Sequence, residues 1–379
     1  MKSQFKKLAV ATSTPLASIF GSGFLIIVPI LAGAVGKYSV FAMAGVCTLA
    51  YAVGSVIRYN INNAEPVLSA GKPPKAILFL ERASDLALIL AYVISVTLYL
   101  HILSAFVLGG MHADTELNEN LLTSAIIFVI TVIGIIKGLN MLENLEHWAL
   151  FIKLLIIVVL IIGFAHFDWI AWHSTSGITL PKSLDHTPWE ILTIVAGTLI
   201  VVQGFETTRY LGNVYDSEIR VRASRLSQII STTVYIVFVA LALPIVHTLN
   251  GQYDDNSLIK LAGVASSLLV VPLIVAAALS QFSAAVADTL AASGDMQEVA
   301  QGRLKVRWGY LLIGVGAIAL TWLANTLEII ALASRAFAFY YMLQCFVAIS
   351  VSKSSVKRAG MAIVAAALGF ITVFAVPAS

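Results

Sequence analysis

Charge is scarce in this chain: 23 basic and 20 acidic residues among 379, or 11%, where a soluble domain averages about 25%. With 59% apolar residues and a mean hydropathy of +0.92, it has too little polar surface to face water on its own. A soluble enzyme or binding domain is thereby excluded, and the solvent must be a lipid bilayer. Cysteine is nearly absent as well. Cys47 and Cys345 both lie in apolar runs, which leaves no disulfide framework and no thiolate metal site. The seven histidines lack metal-ligand spacing, and no paired carboxylates, histidine cluster or activated serine is spaced for catalysis. Neither an enzyme nor a cofactor nor a bound metal is expected. The net charge of +3 is too small to attract nucleic acid.

Long apolar sequence is what the chain has instead. A helix needs about 20 mostly apolar residues to cross a membrane, and such stretches run at 8–35, 38–57, 77–108, 120–137, 147–166, 189–213, 226–248, 259–293, 309–324, 328–350 and 359–377. They predict one polytopic domain over 1–379. The first stretch follows Lys2, Lys6 and Lys7, but it is too long for a signal peptide and contains Pro15 and Pro29, so it reads as a retained helix. Lysine and arginine stay on the cytoplasmic side during insertion. With the N-terminus inside, sixteen of them fall in cytoplasmic segments, against Lys37, Lys182 and Lys260 outside. That asymmetry predicts a multi-pass protein of the cytoplasmic (inner) membrane whose C-terminus, after an odd number of crossings, lies outside.

Two stretches carry breaks. In the first, Ile19-Phe20-Gly21-Ser22-Gly23-Phe24 puts two glycines around a serine near mid-membrane. Glycine costs a helix about 1 kcal/mol and tolerates unwound backbone, which at this depth survives only where it lines a cavity or is buried in protein. Close packing by small residues is the plainer explanation. In the sixth, Gln203-Gly204-Phe205-Glu206-Thr207-Thr208 sets an amide and a carboxylate beside a glycine. These stretches open successive five-helix blocks, 8–166 and 189–350, with 359–377 as an extra helix. An odd block length inverts the second block, and interrupted helices at matching positions of inverted repeats surround a substrate at the midplane. The expected fold is an all-α membrane protein of eleven transmembrane helices, a five-plus-five inverted repeat with discontinuous first and sixth helices.

These residues resemble the motifs of the amino acid–polyamine–organocation superfamily, which has the leucine-transporter type of fold. Gly21-Ser22-Gly23 is similar to its first-helix motif and Gly204-Phe205-Glu206 to its sixth-helix motif. Gly138 precedes Lys153 by fifteen residues, a spacing similar to the family's fifth helix. The loop with Arg220, Arg222 and Ala223 is similar to its basic loop without the proline, and Ser280 to Ser293 resembles its small-residue eighth helix. Two features depart. The family usually has twelve helices, and an aromatic-Ala-aromatic run commonly stands where this chain has Ile200-Val201-Val202-Gln203. The resemblance implies a secondary active transporter for a small amino acid or related amine or organic solute, working by alternating access. It implies that the Gly21 to Gly23 amides receive a carboxylate and carbonyls near Val201 to Gly204 an amine. Ile19, Phe20, Gly21, Ser22, Gly23, Val201, Gln203, Gly204 and Phe205 are thus the substrate-binding candidates, with Gln203 as a selectivity residue.

Charges within the spans supply the coupling and gating candidates. Lys153, six residues into its stretch, is close enough to the interface to snorkel. The resemblance implies instead that its ammonium stands beside the first break, where related symporters hold sodium; a buried lysine can exchange its proton. A proton is therefore favoured over sodium as the coupling ion. Glu206 is placed for an ion pair with Arg209 three residues on, or for a gate or proton site. Ser280 and Ser283, with Asp288 and Thr289, offer oxygen ligands for a competing sodium site, although Asp288 also reads as a hydrated helix end. Arg335, two turns after Glu328, reads as snorkelling outward or as an outer gate. Tyr92, Ser95 and Tyr99 either line the cavity or pack. A sodium-coupled symporter, an ion channel or a sensor on the same fold are the alternatives.

Overall fold

The computed structural model of the chain describes residues 2–71, 73–139, 143–174 and 177–378, without the side chains of residues 2, 3, 22 and 143–147. Among the described residues it is helical, with no strand. The α-helices are α1 (Lys2–Ser22), α2 (Ile27–Val35), α3 (Ser39–Leu68), α4 (Lys75–Gly110), α5 (Glu116–Lys137), α6 (Glu143–His173), α7 (Pro188–Ala196), α8 (Ser217–Ala242), α9 (Ser257–Ala265), α10 (Val270–Val299), α11 (Val306–Thr321), α12 (Thr326–Val351) and α13 (Ser355–Phe374). Eight helical stretches among the described residues are long and apolar enough to cross a bilayer, one of them, Ile27–Leu68, taking in both α2 and α3. Three of the expected stretches are not matched by a span of their own: 8–35 is divided between α1 and α2, 189–213 between α7 and the 3-10 segments up to Phe205–Asn213, and 309–324 falls on α11, an apolar helix of 16 residues.

The hydropathy pattern explains the packing. α4 is apolar on nearly all sides, as a central helix must be, and it packs against α5, α10, α11 and α12. α10 offers small residues to its neighbours, among them Ala276, Ala277, Ser280 and Ala285, which lets backbones approach closely. Polar residues set the helix starts. Thr115 caps α5 and Asp216 caps α8, while α7 opens on a Thr187–Glu190 capping box with Pro188 in its first turn.

α12 opens on an Asn325–Glu328 box, so Glu328 is engaged at the helix start and does not partner Arg335. Arg335 is exposed and donates to the carbonyls of Thr372 (2.8 Å) and Val373 (3.3 Å), where it completes the C-terminal end of α13.

Candidate functional site

Both breaks lie where the glycines predicted them. α1 ends at Ser22, α2 begins at Ile27, and Gly23 O accepts from the backbone N–H of Ile26 and Ile27, each at 3.1 Å. After α7 a 3-10 turn, Leu199–Val202, leads to Gly204 at φ +119 and then to Phe205–Asn213. The two breaks touch. A Cβ on Gly23 would lie 2.9 Å from Val201 Cα, and one on Gly204 would lie 2.5 Å from Ser18 Oγ and 2.7 Å from Ile19 N. Only glycine permits both the approach and, at Gly204, the left-handed backbone.

Tyr235 of α8 joins the pair. Its hydroxyl lies 2.7 Å from Val201 O and 3.1 Å from Ile19 O, and its ring packs on Phe20 and Phe24. It thereby engages a carbonyl expected to receive an amine. Tyr235 carries no sequence signal, because one aromatic in an apolar helix reads as packing.

Glu206 is buried, with Oε2 accepting from Gly204 N–H at 2.9 Å and from the Tyr341 hydroxyl at 2.6 Å. The carboxyl thus ties the second break to α12, and Phe205 stacks on the same Tyr341. The expected ion pair with Arg209 is not formed. Arg209 reaches Glu81 of α4 at 2.5 Å and Glu65 of α3 at 3.8 Å, while Arg220 grips Glu65 with two nitrogens at 2.7 and 3.0 Å. The reason is local: Glu206 turns back onto the break's own backbone, while the long Arg209 side chain spans to acids on neighbouring helices. Such bidentate guanidinium–carboxylate contacts are the stronger kind.

A cavity of about 490 Å³ opens from the breaks toward the end that carries the N-terminus and the basic loops. Its wall includes Ser18 of α1, Tyr92 and Tyr99 of α4, Lys153 of α6, and Ser280, Ser283 and Asp288 of α10. Through Tyr210, Asp295 and Glu298 it meets a vestibule of about 570 Å³ lined by Glu65, Glu81, Asp85 and Arg209. Lys153 is only 6% exposed, and its Nζ donates to Ala17 O at 3.1 Å. The ammonium therefore sits on the broken helix and does not snorkel. Gly21 leaves it room, since a Cβ there would lie 3.7 Å from Nζ. Asp288, at 7% exposure, is a buried group and not a hydrated helix end.

Lys153, Ser280 and Ser283 are thus brought together at the cavity. Ile19, Phe20, Gly21, Gly23, Val201, Gln203, Gly204, Phe205 and Glu206 are not among its lining residues and pack at the breaks, the side chain of Ser22 lies outside the described residues, and Arg335 is elsewhere. Gln203 donates to the Tyr99 hydroxyl at 3.2 Å, and its Oε1 is buried without a hydrogen-bond partner, as is Ser280 Oγ. Two polar atoms near the cavity thus have unused bonding capacity. Among the described residues no group of three or more His, Cys, Asp or Glu is placed to hold a metal ion.

The opposite end is packed. Leu184 N donates to Gly33 O at 2.9 Å, the Tyr253 ring fills the space beside Gly33, and the Thr326 hydroxyl donates to Asp255 at 2.7 Å. Burial there pushes the Asp255 carboxyl above the usual carboxylate range.

Facing helix breaks beside a buried lysine and a cavity reached from one end define the class: a membrane transporter. The comparisons with known proteins agree, since residues 2–377 match the model of an APC superfamily transporter family, and the chain belongs to that superfamily. A relative in Aquifex aeolicus (strain VF5), described as an uncharacterized protein, is 41% identical over 351 residues, 92% of this chain and 85% of the relative. Among solved structures, a crystal structure of a mutant manganese transporter from Eremococcus coleocola is similar with a TM-score of 0.59 at 14% identity, over 97% of this chain and 85% of that one. That last likeness is one of fold.

Proposed function

We propose that the protein is a secondary active transporter of a small amino acid or related amine or organic solute, driven by protons or working as a sodium-independent exchanger through Lys153. The observation that carries this reading is the Lys153 ammonium on Ala17 O, beside the first break and on the cavity wall. A cation fixed there repels sodium from the same spot. It also gives α1 a contact that depends on charge and therefore on a proton. The cavity, open at one end and packed at the other, fits one of the two states that alternating access requires. Eleven crossings arranged as inverted repeats in the cytoplasmic membrane, with the N-terminus inside and the C-terminus outside, complete the proposal.

Uptake by proteoliposomes from a panel of labelled amino acids and amines, under an imposed proton or sodium gradient, tests it. The expected result is saturable uptake of one class that ignores sodium and responds to pH, with the pH response lost in Lys153→Ala. Sodium-driven uptake, or an unaltered pH response in Lys153→Ala, would contradict the coupling.

A further inference from the structure

α12 reaches the second break at a further residue, Ser334, which is fully buried. Its hydroxyl lies between two backbone groups of the break: Oγ accepts from Ile200 N–H at 3.0 Å and donates to Gly197 O at 2.6 Å. An α-helix continued past Ala196 would use both groups itself, with Ile200 N–H donating to Ala196 O and Gly197 O accepting from Val201 N–H. A serine hydroxyl has one hydrogen and two lone pairs, so it can stand in for both ladder bonds at once. A side chain set into the ladder in this way is one of the few causes of a sharply broken helix. From this geometry we infer that Ser334 is a positioning residue of the substrate site: its hydroxyl, inserted into the ladder of α7, holds the second break open and sets where the carbonyls of residues 201–204 point. The inference rests on the transporter reading, in which those carbonyls receive the solute. Ser334 acts through them, since it is not among the residues that line the cavity.

The surroundings agree. A hydroxyl within a helix often turns back to the carbonyl four residues earlier, as Thr12, Ser104, Thr289 and Thr321 do. Ser334 donates to another helix instead. The backbone after α7 shows the consequence, because it is closed by the tighter 3-10 pattern: Thr198 N donates to Val195 O at 3.1 Å, Val201 N to Thr198 O at 3.0 Å and Gln203 N to Ile200 O at 3.3 Å. About two turns along the same face of α12, Tyr341 donates to Glu206, whose carboxyl accepts from Gly204 N–H. α12 therefore grips the break at both ends, directly through Ser334 and by way of Glu206 through Tyr341. Phe337, between these two, stands edge-on to Tyr92 of the cavity wall, with ring centroids 6.1 Å apart. One face of α12 thus serves the break and the cavity together. Without the Ser334 hydroxyl, Gly197 O and Ile200 N–H become buried orphans, which are costly until paired. The partners a regular helix offers them are adjacent in the chain, so the segment winds to α geometry and withdraws its carbonyls from the site.

Amide hydrogen exchange of the purified protein tests this without a known substrate. Bonds of the 3-10 pattern have poorer geometry than those of an α-helix, and the exchange of an amide reports how readily its bond opens. In Ser334→Ala, peptides covering residues 199–203 are therefore expected to exchange about tenfold more slowly than in the wild-type protein, the worth of about one net hydrogen bond. Loss of a contact that merely packs would move the rate the other way. Ser334→Thr keeps the hydroxyl and is expected to exchange like the wild type, and the shape-matched Ser334→Val like Ser334→Ala; that pair decides the outcome if Ser334→Ala does not fold. Unchanged or faster exchange in the variants without a hydroxyl would overturn the inference. In uptake of the panel solute that the wild-type protein transports, KM is expected to rise about tenfold in Ser334→Ala with the maximal rate retained, and to return in Ser334→Thr. Slower exchange with KM unchanged overturns the role in binding; slower exchange with no uptake of any panel solute by the wild-type protein removes the transporter reading instead.

Discussion

Gly204 stands at φ +119 with Ser18 and Ile19 against it, so a methyl group has neither the backbone conformation nor the space it needs. Gly204→Ala is expected to cost about 1–3 kcal/mol, read as a lower thermal unfolding midpoint of the purified protein, and to abolish uptake because the breaks no longer meet. Glu206→Ala removes the acceptor of both Gly204 N–H and the Tyr341 hydroxyl. Two orphaned donors make a loss of about 2–4 kcal/mol the expected result in the same measurement, and Glu206→Gln, which keeps an acceptor, should lose less. At this scale the glycines were legible in the sequence because nothing else suits a break in a membrane helix. The partners of Arg209 were not. Its spacing from Glu206 suggests a local pair, whereas Glu81 and Glu65 reach it from helices more than a hundred residues away in the chain. Tyr235 was hidden for the same reason, since its meaning comes from two carbonyls on other elements.

The elements divide by how much of their identity is local. Long apolar helices follow from composition alone, and the box residues Thr187 with Glu190 and Asn325 with Glu328 mark their starts at a fixed three-residue spacing. Connections between elements are less readable. The packing of the strap around Leu184 and of Tyr253 onto Gly33 of α2 leaves no pattern in the chain, because each contact depends on where a neighbouring helix ends. Asp255, in the connection before α9, gives this seal a pH dependence. Its folded pKa is raised above the unfolded value, so the protein binds that proton more tightly when folded. The contribution to stability is full below the usual carboxylate range and is lost as pH rises through the raised folded value. Asp255→Asn should therefore gain in unfolding midpoint over the wild-type protein as pH increases across that window, and a difference independent of pH would remove the assignment.

Across the whole molecule, the few charges sort into three places. Most basic residues lie in the loops at one end, where they were expected to fix the orientation. Arg209, Arg220, Glu65 and Glu81 cross-link α3, α4, α8 and the second break at the mouth of the cavity. Among the described residues that line the cavity, Lys153 and Asp288 are the buried charged ones. The cavity itself was not legible, since its shape depends on which end of the bundle is packed. Its candidate residues were legible in part, with Lys153, Ser280 and Ser283 on its wall and the glycine motifs one layer behind. A molecule that exposes its site to one side at a time must return a site before it can load again, which a pore need not do. The most direct test is trans-stimulation in proteoliposomes: with the transported solute identified, unlabelled solute is loaded inside and labelled uptake is followed alongside ion current. The account predicts that internal solute speeds uptake to a saturable limit, with no ion current when no gradient or solute is present. Uptake indifferent to internal solute, accompanied by current linear in voltage, would contradict it.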